Sequence, residues 1–118
     1  AREDATVRLA VEATLNLDEL YAKAAEAGNL AAMREHARRL QASAVTRDDL
    51  VVSTGWLIRA AEGGDAAAMI MLSQAFSMGV GVAASLENAQ GWLRKAAEAG
   101  DPTAIEMVKL FAVNAGTN

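Results

Sequence analysis

The sequence contains no cysteine, one histidine and one proline, and aromatic residues make up only 4% of its 118 positions. Without cysteine, the chain has neither a disulfide framework nor thiolate chemistry. The lone histidine, His36, has no evident nucleophile or metal co-ligand beside it. We therefore expect no catalytic residue, no metal site and no cofactor. Scarce aromatic residues also argue against a β-sandwich, because strands favour aromatic and β-branched side chains.

Basic charge and long apolar runs are missing as well. The 11 Lys and Arg residues are outnumbered by 15 Asp and Glu residues, which gives a net charge of −4. That balance lacks the basic footprint of a nucleic-acid-binding protein. No apolar run approaches the roughly 18 residues that a transmembrane helix needs. The sequence therefore predicts neither a nucleic-acid partner nor a membrane-spanning segment.

The sequence is rich in internal repetition. The segment GWLIRAAEGGD at Gly55–Asp65 recurs as GWLRKAAEAGD at Gly91–Asp101, 36 residues later. A weaker copy, ELYAKAAEAGN, lies 36 residues upstream at Glu19–Asn29. A fixed period of this length indicates stacked supersecondary units, each of which contacts only its neighbours.

Each unit carries signals for the start and end of two helices, here called its first and second helix. Asp65 and Ser85 are suited to N-capping, since their side chains accept hydrogen bonds from free amides of a first turn. Gly79 and Gly100 follow apolar helical stripes and suit a left-handed helix end. Thr46 begins a T-R-D-D capping-box variant. Asp48 and Asp49 are interpreted as first-turn acids rather than as an acid–base pair.

These signals predict an all-α chain with seven helices. Asn16-Leu17-Asp18 allows two interpretations, a turn between two helices or the interior of one. The predicted helices, with a turn at that point, span about residues 3–14, 17–27, 30–43, 47–63, 66–79, 85–99 and 102–115.

Trp56 and Trp92 occupy the same position in two units, on the apolar stripe of the second helix. Each has alanine-rich neighbours that leave room for a bulky ring. We predict that both are part of the repeat core rather than ligand-stacking aromatics.

The best-formed unit resembles a Sel-like repeat, a branch of the tetratricopeptide-like α/α solenoids. The family usually has Gly, Tyr, Asp and Lys where this chain has Ser73, Phe76, Ser85 and Asn88, but the spacing is intact. The matching positions are Ala68, Leu72, Ser73, Phe76, Gly79, Gly81, Val82, Ser85, Asn88, Ala89, Trp92, Leu93, Lys95, Ala96, Ala97, Gly100 and Asp101.

The resemblance implies a right-handed α/α superhelix of about three helix-hairpin repeats in a single domain. Its units would span about residues 1–28, 29–64 and 65–100, followed by a capping helix at 101–115. Members of the family are non-catalytic interaction scaffolds, and many bacterial members are exported. The compartment stays open, because a chain without cysteine suits a reducing cytoplasm equally well.

In the tetratricopeptide-like arrangement, the first helix of each unit lines a concave surface. The resemblance therefore implies a stripe of partner-binding residues: Arg34, Arg38, Gln41, Ile70, Gln74, Ser77, Glu106 and Leu110. With Arg39, the arginines at its start form the chain's basic cluster. This cluster has two interpretations, a solvated face or a partner-binding patch, since Arg is enriched among interface anchors.

The function predicted from the sequence is a non-catalytic module that binds another protein or a peptide segment on this concave surface. The alternative is a bacterial inhibitor or immunity protein that occludes a toxin or enzyme. Weak self-association through an apolar repeat end is a further prediction.

Overall fold

The computed structural model describes the backbone of residues 4–116 and the side chains of residues 4–14 and 16–112. These residues form six helices and no strand, which confirms the all-α fold class. The helices are α1 (Ala5–Glu26), α2 (Leu30–Ala42), α3 (Arg47–Glu62), α4 (Ala66–Met78), α5 (Leu86–Glu98) and α6 (Pro102–Gly116).

Five of the predicted helices match α2 to α6 to within one residue at either end, but the first two form one helix. Asn16-Leu17-Asp18 lies inside α1, so the predicted turn at this point is wrong. The segment lacks the left-handed glycine that follows α1, α3, α4 and α5, so nothing in it favours a helix end. The predicted start at residue 3 lies outside the described residues.

The predicted caps are present. The Asp65 carboxylate accepts a hydrogen bond from the amide of Ala68 at 3.0 Å, and the Ser85 hydroxyl accepts one from Asn88 at 3.1 Å. Thr46 and Asp49 form the reciprocal capping box at the start of α3. These contacts fix where each helix begins, because they satisfy amides that have no partner within the helix.

Each helix packs on the next along the chain, as a solenoid requires. Helices α2 and α3 form one complete hairpin, α4 and α5 form the second, and α1 and α6 flank them as single helices. The Cα radius of gyration is 17.2 Å and the principal extents are 64 × 29 × 24 Å. A compact domain of about 100 residues has a radius near 13 Å, so the chain is elongated along its stack.

Small residues that recur at the period of the repeat let the helices approach closely. Ala32, Ala68 and Ala104 are buried at equivalent positions of the three first helices. Ala60 and Ala96 are fully buried at equivalent positions of the second helices. Larger side chains at these places would push the helices apart, because protein interiors are close-packed.

Within each hairpin, the two helices cross at a serine–alanine pair. In the first hairpin the Ser53 hydroxyl of α3 donates to the carbonyl of Ala37 in α2 at 2.7 Å. In the second hairpin the Ser73 hydroxyl of α4 donates to the carbonyl of Ala89 in α5, also at 2.7 Å. Residues 37 and 73 are equivalent, as are 53 and 89. The hydrogen bond therefore runs from the second helix to the first in one hairpin and from the first helix to the second in the other.

The tryptophans lie at the edge of the core rather than at its centre. Trp56 and Trp92 are half-buried and pack against the core residues. The guanidinium of Arg59 lies 4.4 Å from the Trp56 ring centroid, and the ammonium of Lys95 lies 4.5 Å from that of Trp92. His36 contacts the Trp56 ring edge-on at 5.2 Å. Each indole therefore has a packing role and a covering cation.

Candidate functional site

The first helices α2 and α4 approach each other at two places, and one of them brings two residues of the predicted stripe together. Near the start of the two helices, Arg34 Nε of α2 lies 2.7 Å from Asp65 Oδ2 at the N-cap of α4. Near their ends, Gln41 and Gln74 line the same small cleft of about 50 Å³. The two helices therefore contact each other near their starts and near their ends.

The basic cluster is engaged in ion pairs within the chain. Besides the Arg34–Asp65 pair, Arg38 Nε donates to Glu35 Oε2 at 3.0 Å. Hydrogen bonding and proximity to Arg38 lower the pKa of the Glu35 carboxyl despite partial desolvation. Salt-bridged arginines have less to offer a partner, so these contacts favour a structural role for the cluster.

Arg39 also pairs with acids on two helices. Its Nη1 lies 2.8 Å from Asp18 Oδ1 of α1, and its Nε lies 3.2 Å from Glu35 Oε1. The guanidinium lies 4.9 Å from the Tyr21 ring centroid. Arg39 therefore joins α2 to α1, whereas Arg34 joins α2 to α4.

The centre of the stripe is polar and accessible. Gln41, Gln74 and Ser77 are exposed, and Ile70 is half-buried. Among the described residues, the side-chain amides of Gln41 and Gln74 have no hydrogen-bond partner. Two amides that line one cleft can each donate and accept hydrogen bonds.

The last part of the stripe lies on α6. Glu106 is exposed and its Oε1 lies 3.4 Å from Lys109 Nζ one turn away. Leu110 is also exposed. Neither residue lines the cleft that Gln41 and Gln74 share, and among the described helices α6 packs on α5.

Sequence analysis missed an apolar groove at the edge formed by the interhelical loops. A cavity of about 850 Å³ runs between the α2–α3 loop and the α4–α5 loop. Val45 forms part of its wall and is 90% exposed. The exposed valine in a turn was the available signal. The other lining residues are Gln41, Ala44, Thr46, Arg47, Leu50, Val51, Gly79, Gly81, Val82, Ala83 and Ala84.

The groups that could carry chemistry are dispersed. Within residues 4–116, no three of the His, Asp and Glu side chains come together in a way that could hold a metal ion. In the same part of the chain, no helix combines the length and apolar character needed to cross a bilayer. What this surface offers is hydrogen bonding and apolar contact.

The same fold occurs in solved bacterial structures. The chain superposes on a Sel1 repeat protein from Oxalobacter formigenes with a TM-score of 0.67 and 30% identity, over 77% of this chain and 26% of that one. The chain resembles the Sel1-like repeat proteins. The sequence resemblance is thus confirmed by the structure.

Two further solved structures share the fold at lower identity. Cysteine rich protein B of Helicobacter pylori gives a TM-score of 0.72 at 19% identity, over 80% of this chain and 71% of that one. A protective antigen of uropathogenic Escherichia coli strains, which displays an SLR fold, gives 0.65 at 24%, over 74% and 19%. No family model and no curated protein matches the chain. The chain spans about a quarter of the length of the Oxalobacter protein and about a fifth of the length of the Escherichia antigen.

Proposed function

We propose that this Sel1-like domain is a non-catalytic protein-interaction module whose α2–α4 face holds an extended segment of a partner protein. The observation that carries the proposal is the pair of exposed glutamine amides in one cleft, Gln41 and Gln74, which have no partner among the described residues. An extended peptide presents unpaired main-chain N–H and C=O groups. A glutamine side-chain amide can donate to such a C=O group and accept from such an N–H group.

Apolar contact would supplement these hydrogen bonds. Ile70 lies on the same helix as Gln74 and is partly accessible. Leu110, which is equivalent to Gln74 one unit later, is 64% exposed on α6. The matching partner segment has an apolar residue beside the residues that hydrogen-bond to Gln41 and Gln74.

The charge of the surface also bears on the partner. Because Arg34 and Arg38 already pair with Asp65 and Glu35, the α2 end of the face is not an open basic patch. We therefore expect the partner segment to be neutral rather than strongly acidic. The alternative of a toxin or enzyme inhibitor stays a prediction, and it would use the same face.

The test is binding of the native partner to a double variant, Gln41→Ala with Gln74→Ala. Wild-type protein captures the partner from the native organism, and affinity for the purified partner is then measured by calorimetry. Loss of two hydrogen bonds at about 1 kcal/mol each weakens binding by roughly thirtyfold. Gln90→Ala, an exposed glutamine on α5, is the matched control and should bind as wild type does.

Unchanged affinity of the double variant, with an unchanged unfolding midpoint, would refute this site. A reversal such as Arg34→Glu is a poor probe. It places a carboxylate against Asp65, the N-cap of α4, and so would disturb folding as well as binding.

A further inference from the structure

The two edges of the stack differ in how much apolar surface they expose. One edge carries the loops within the hairpins, at residues 43–46 and 79–85, and the other carries the loops between units. In α2 to α5 and the loops beside them, every exposed large apolar side chain lies in the hairpin loops or within six residues of them. These side chains are Val45, Val51, Val52, Met78 and Leu86. Exposed apolar groups that gather in one place mark interaction surfaces.

The groove of about 850 Å³ between the two hairpin loops lies at this edge, and we call it the hairpin-loop groove. Val45 and Val51 line one side of it, and Val82 of the α4–α5 loop also lines it. Among the described residues in its lining, Arg47 is the only charged one. Arg47 comes two residues after Val45 and one helical turn before Val51, so this side of the groove has a cation between two apolar side chains.

The Arg47 guanidinium is available to a ligand. It is exposed, and within the described part of the chain it has no ion pair and no hydrogen bond, whereas Arg34 and Arg39 are paired with acids. Helix stability does not account for Arg47, because the dipole of α3 disfavours a cation at its first position. Asp48 and Asp49 follow it, but neither lines the groove. The groove therefore presents an uncompensated positive charge.

The hydrogen bonds beside Arg47 indicate which kind of carboxylate suits the groove. A chain terminus is typically captured by backbone amides. Here the amides of Val45 and Thr46 both donate to the Asp49 carboxylate, at 3.0 and 3.1 Å. Since these donors are engaged, a side-chain carboxylate, which needs only the guanidinium, suits the groove better than a C-terminus does.

Contacts between the units fix the shape of the groove. The Thr54 hydroxyl of α3 donates to the Val80 carbonyl of the α4–α5 loop at 2.9 Å. The next residue of the loop, Gly81, packs so closely on α3 that a Cβ there would overlap the carbonyl oxygen of Leu50. A surface that is fixed before binding loses little conformational entropy when a ligand arrives.

We propose that the hairpin-loop groove binds a short segment of a partner protein in which an acidic side chain stands between apolar ones. The carboxylate pairs with Arg47, and the apolar side chains lie against Val45 and Val51. Gln41 lines both this groove and the cleft that it shares with Gln74, so the two surfaces adjoin. The inference goes beyond the proposed function, because the groove binds its segment whether or not the cleft holds one.

The experiment selects ligands from a display library of random peptides of about ten residues, with the purified full chain as the target. We expect the enriched peptides to share an Asp or Glu flanked by large apolar residues. The strongest peptide is then synthesised, and its affinity is measured by calorimetry. Added salt should weaken its binding, because salt screens the ion pair with the exposed Arg47.

A charge swap tests the ion pair itself. Arg47→Glu should weaken the peptide at least tenfold, since it removes a charge-assisted hydrogen bond and adds repulsion. A peptide whose acidic residue is changed to Lys should bind Arg47→Glu more tightly than it binds wild type. Glutamate suits the first turn of a helix, so this variant should fold, which circular dichroism checks. Arg94→Glu makes the same change of charge on α5 outside the groove and should bind the peptide as wild type does.

Two further variants separate the groove from its surroundings. Val45→Ser removes an apolar contact and should weaken the peptide severalfold, whereas Val52→Ser, at an exposed valine of α3 outside the groove, should have no effect. Gln74 lines the cleft but not the groove. Gln74→Ala should therefore bind the peptide as wild type does.

Three results would overturn the inference. The first is a selection that enriches no peptide. The second is a set of enriched peptides that lack an acidic residue or bind Arg47→Glu as tightly as wild type. The third is binding that Gln74→Ala loses and Arg47→Glu keeps, which would place the peptide in the cleft and support the proposed function instead. Failure of the inference is thus distinguishable from failure of the proposed function.

Discussion

The serine–alanine crossing gives the most direct test of how this chain holds its hairpins together. Ser53→Ala removes the hydroxyl that donates to the Ala37 carbonyl at 2.7 Å in a buried position. A buried hydrogen bond of this kind contributes about 1 kcal/mol net. The side chain lost is a single oxygen, so little cavity cost is added. We expect the unfolding free energy to fall by about 1 kcal/mol.

The second hairpin shows how to restore that energy. There the first helix supplies the serine and the second helix supplies the alanine, and the hydrogen bond is equally short. Ala37→Ser combined with Ser53→Ala copies this arrangement into the first hairpin. The unfolding free energy of the double variant should therefore lie within about 0.5 kcal/mol of the wild-type value, although the hydroxyl has moved from α3 to α2.

The assay is urea unfolding followed by circular dichroism, with thermal unfolding as a second measurement. A loss of 1 kcal/mol lowers the thermal midpoint of a domain of this size by roughly 4–8 °C. If the double variant is as unstable as Ser53→Ala alone, the two crossings are not interchangeable. The argument that equivalent positions share one geometry would then be wrong.

Two further predictions concern the α4–α5 loop and the start of α3. Gly81 has φ +70°, and a Cβ there would overlap the carbonyl oxygen of Leu50. Gly81→Ala should therefore cost about 2 kcal/mol or more in urea unfolding, whereas Gly91→Ala, with nothing within 4 Å of its Cβ, should be neutral or stabilising. Hydrogen bonds from the amides of Val45 and Thr46 lower the pKa of Asp49. This carboxylate stabilises the fold above the unfolded pKa, so the stability advantage of wild type over Asp49→Asn should begin to shrink as pH falls below about 4 and be lost as pH passes through the lowered folded pKa. An advantage that does not shrink as pH falls from about 5 would contradict the assignment.

Helix positions could be predicted from the sequence because their signals are local. Asp65 and Ser85 cap helices with atoms three residues away, and Gly79 takes the left-handed conformation at the end of α4. The same locality explains the error in α1. Residues 16–18 contain no glycine, whereas a left-handed glycine follows α1, α3, α4 and α5.

The role of the arginines could not be predicted, because it depends on contacts between units. Arg34 pairs with Asp65, 31 positions away, and Arg39 pairs with Asp18, 21 positions away. The sequence showed three cations on one helix, for which a solvated face was the default interpretation and a partner-binding patch the alternative. Only the distance between neighbouring helices decides which acids these cations reach.

Buried and exposed positions of the repeat differ in whether they keep the same residue from unit to unit, and this difference bears on how selectively a partner would bind. Several buried positions repeat their residue, as Ala32, Ala68 and Ala104 do, because closely packed helices leave only a small volume there.

Positions on the stripe do not repeat: Arg34, Ile70 and Glu106 are equivalent, and they are basic, apolar and acidic. A face that repeated its chemistry would let an extended ligand slide by one unit at no cost. A face with a different side chain in each unit places unlike groups opposite the ligand after such a shift, and unpaired or mismatched polar groups carry a penalty. Under the proposed function, the unlike side chains of the stripe would hold a bound segment in one register and one direction, which is a property of selective binding.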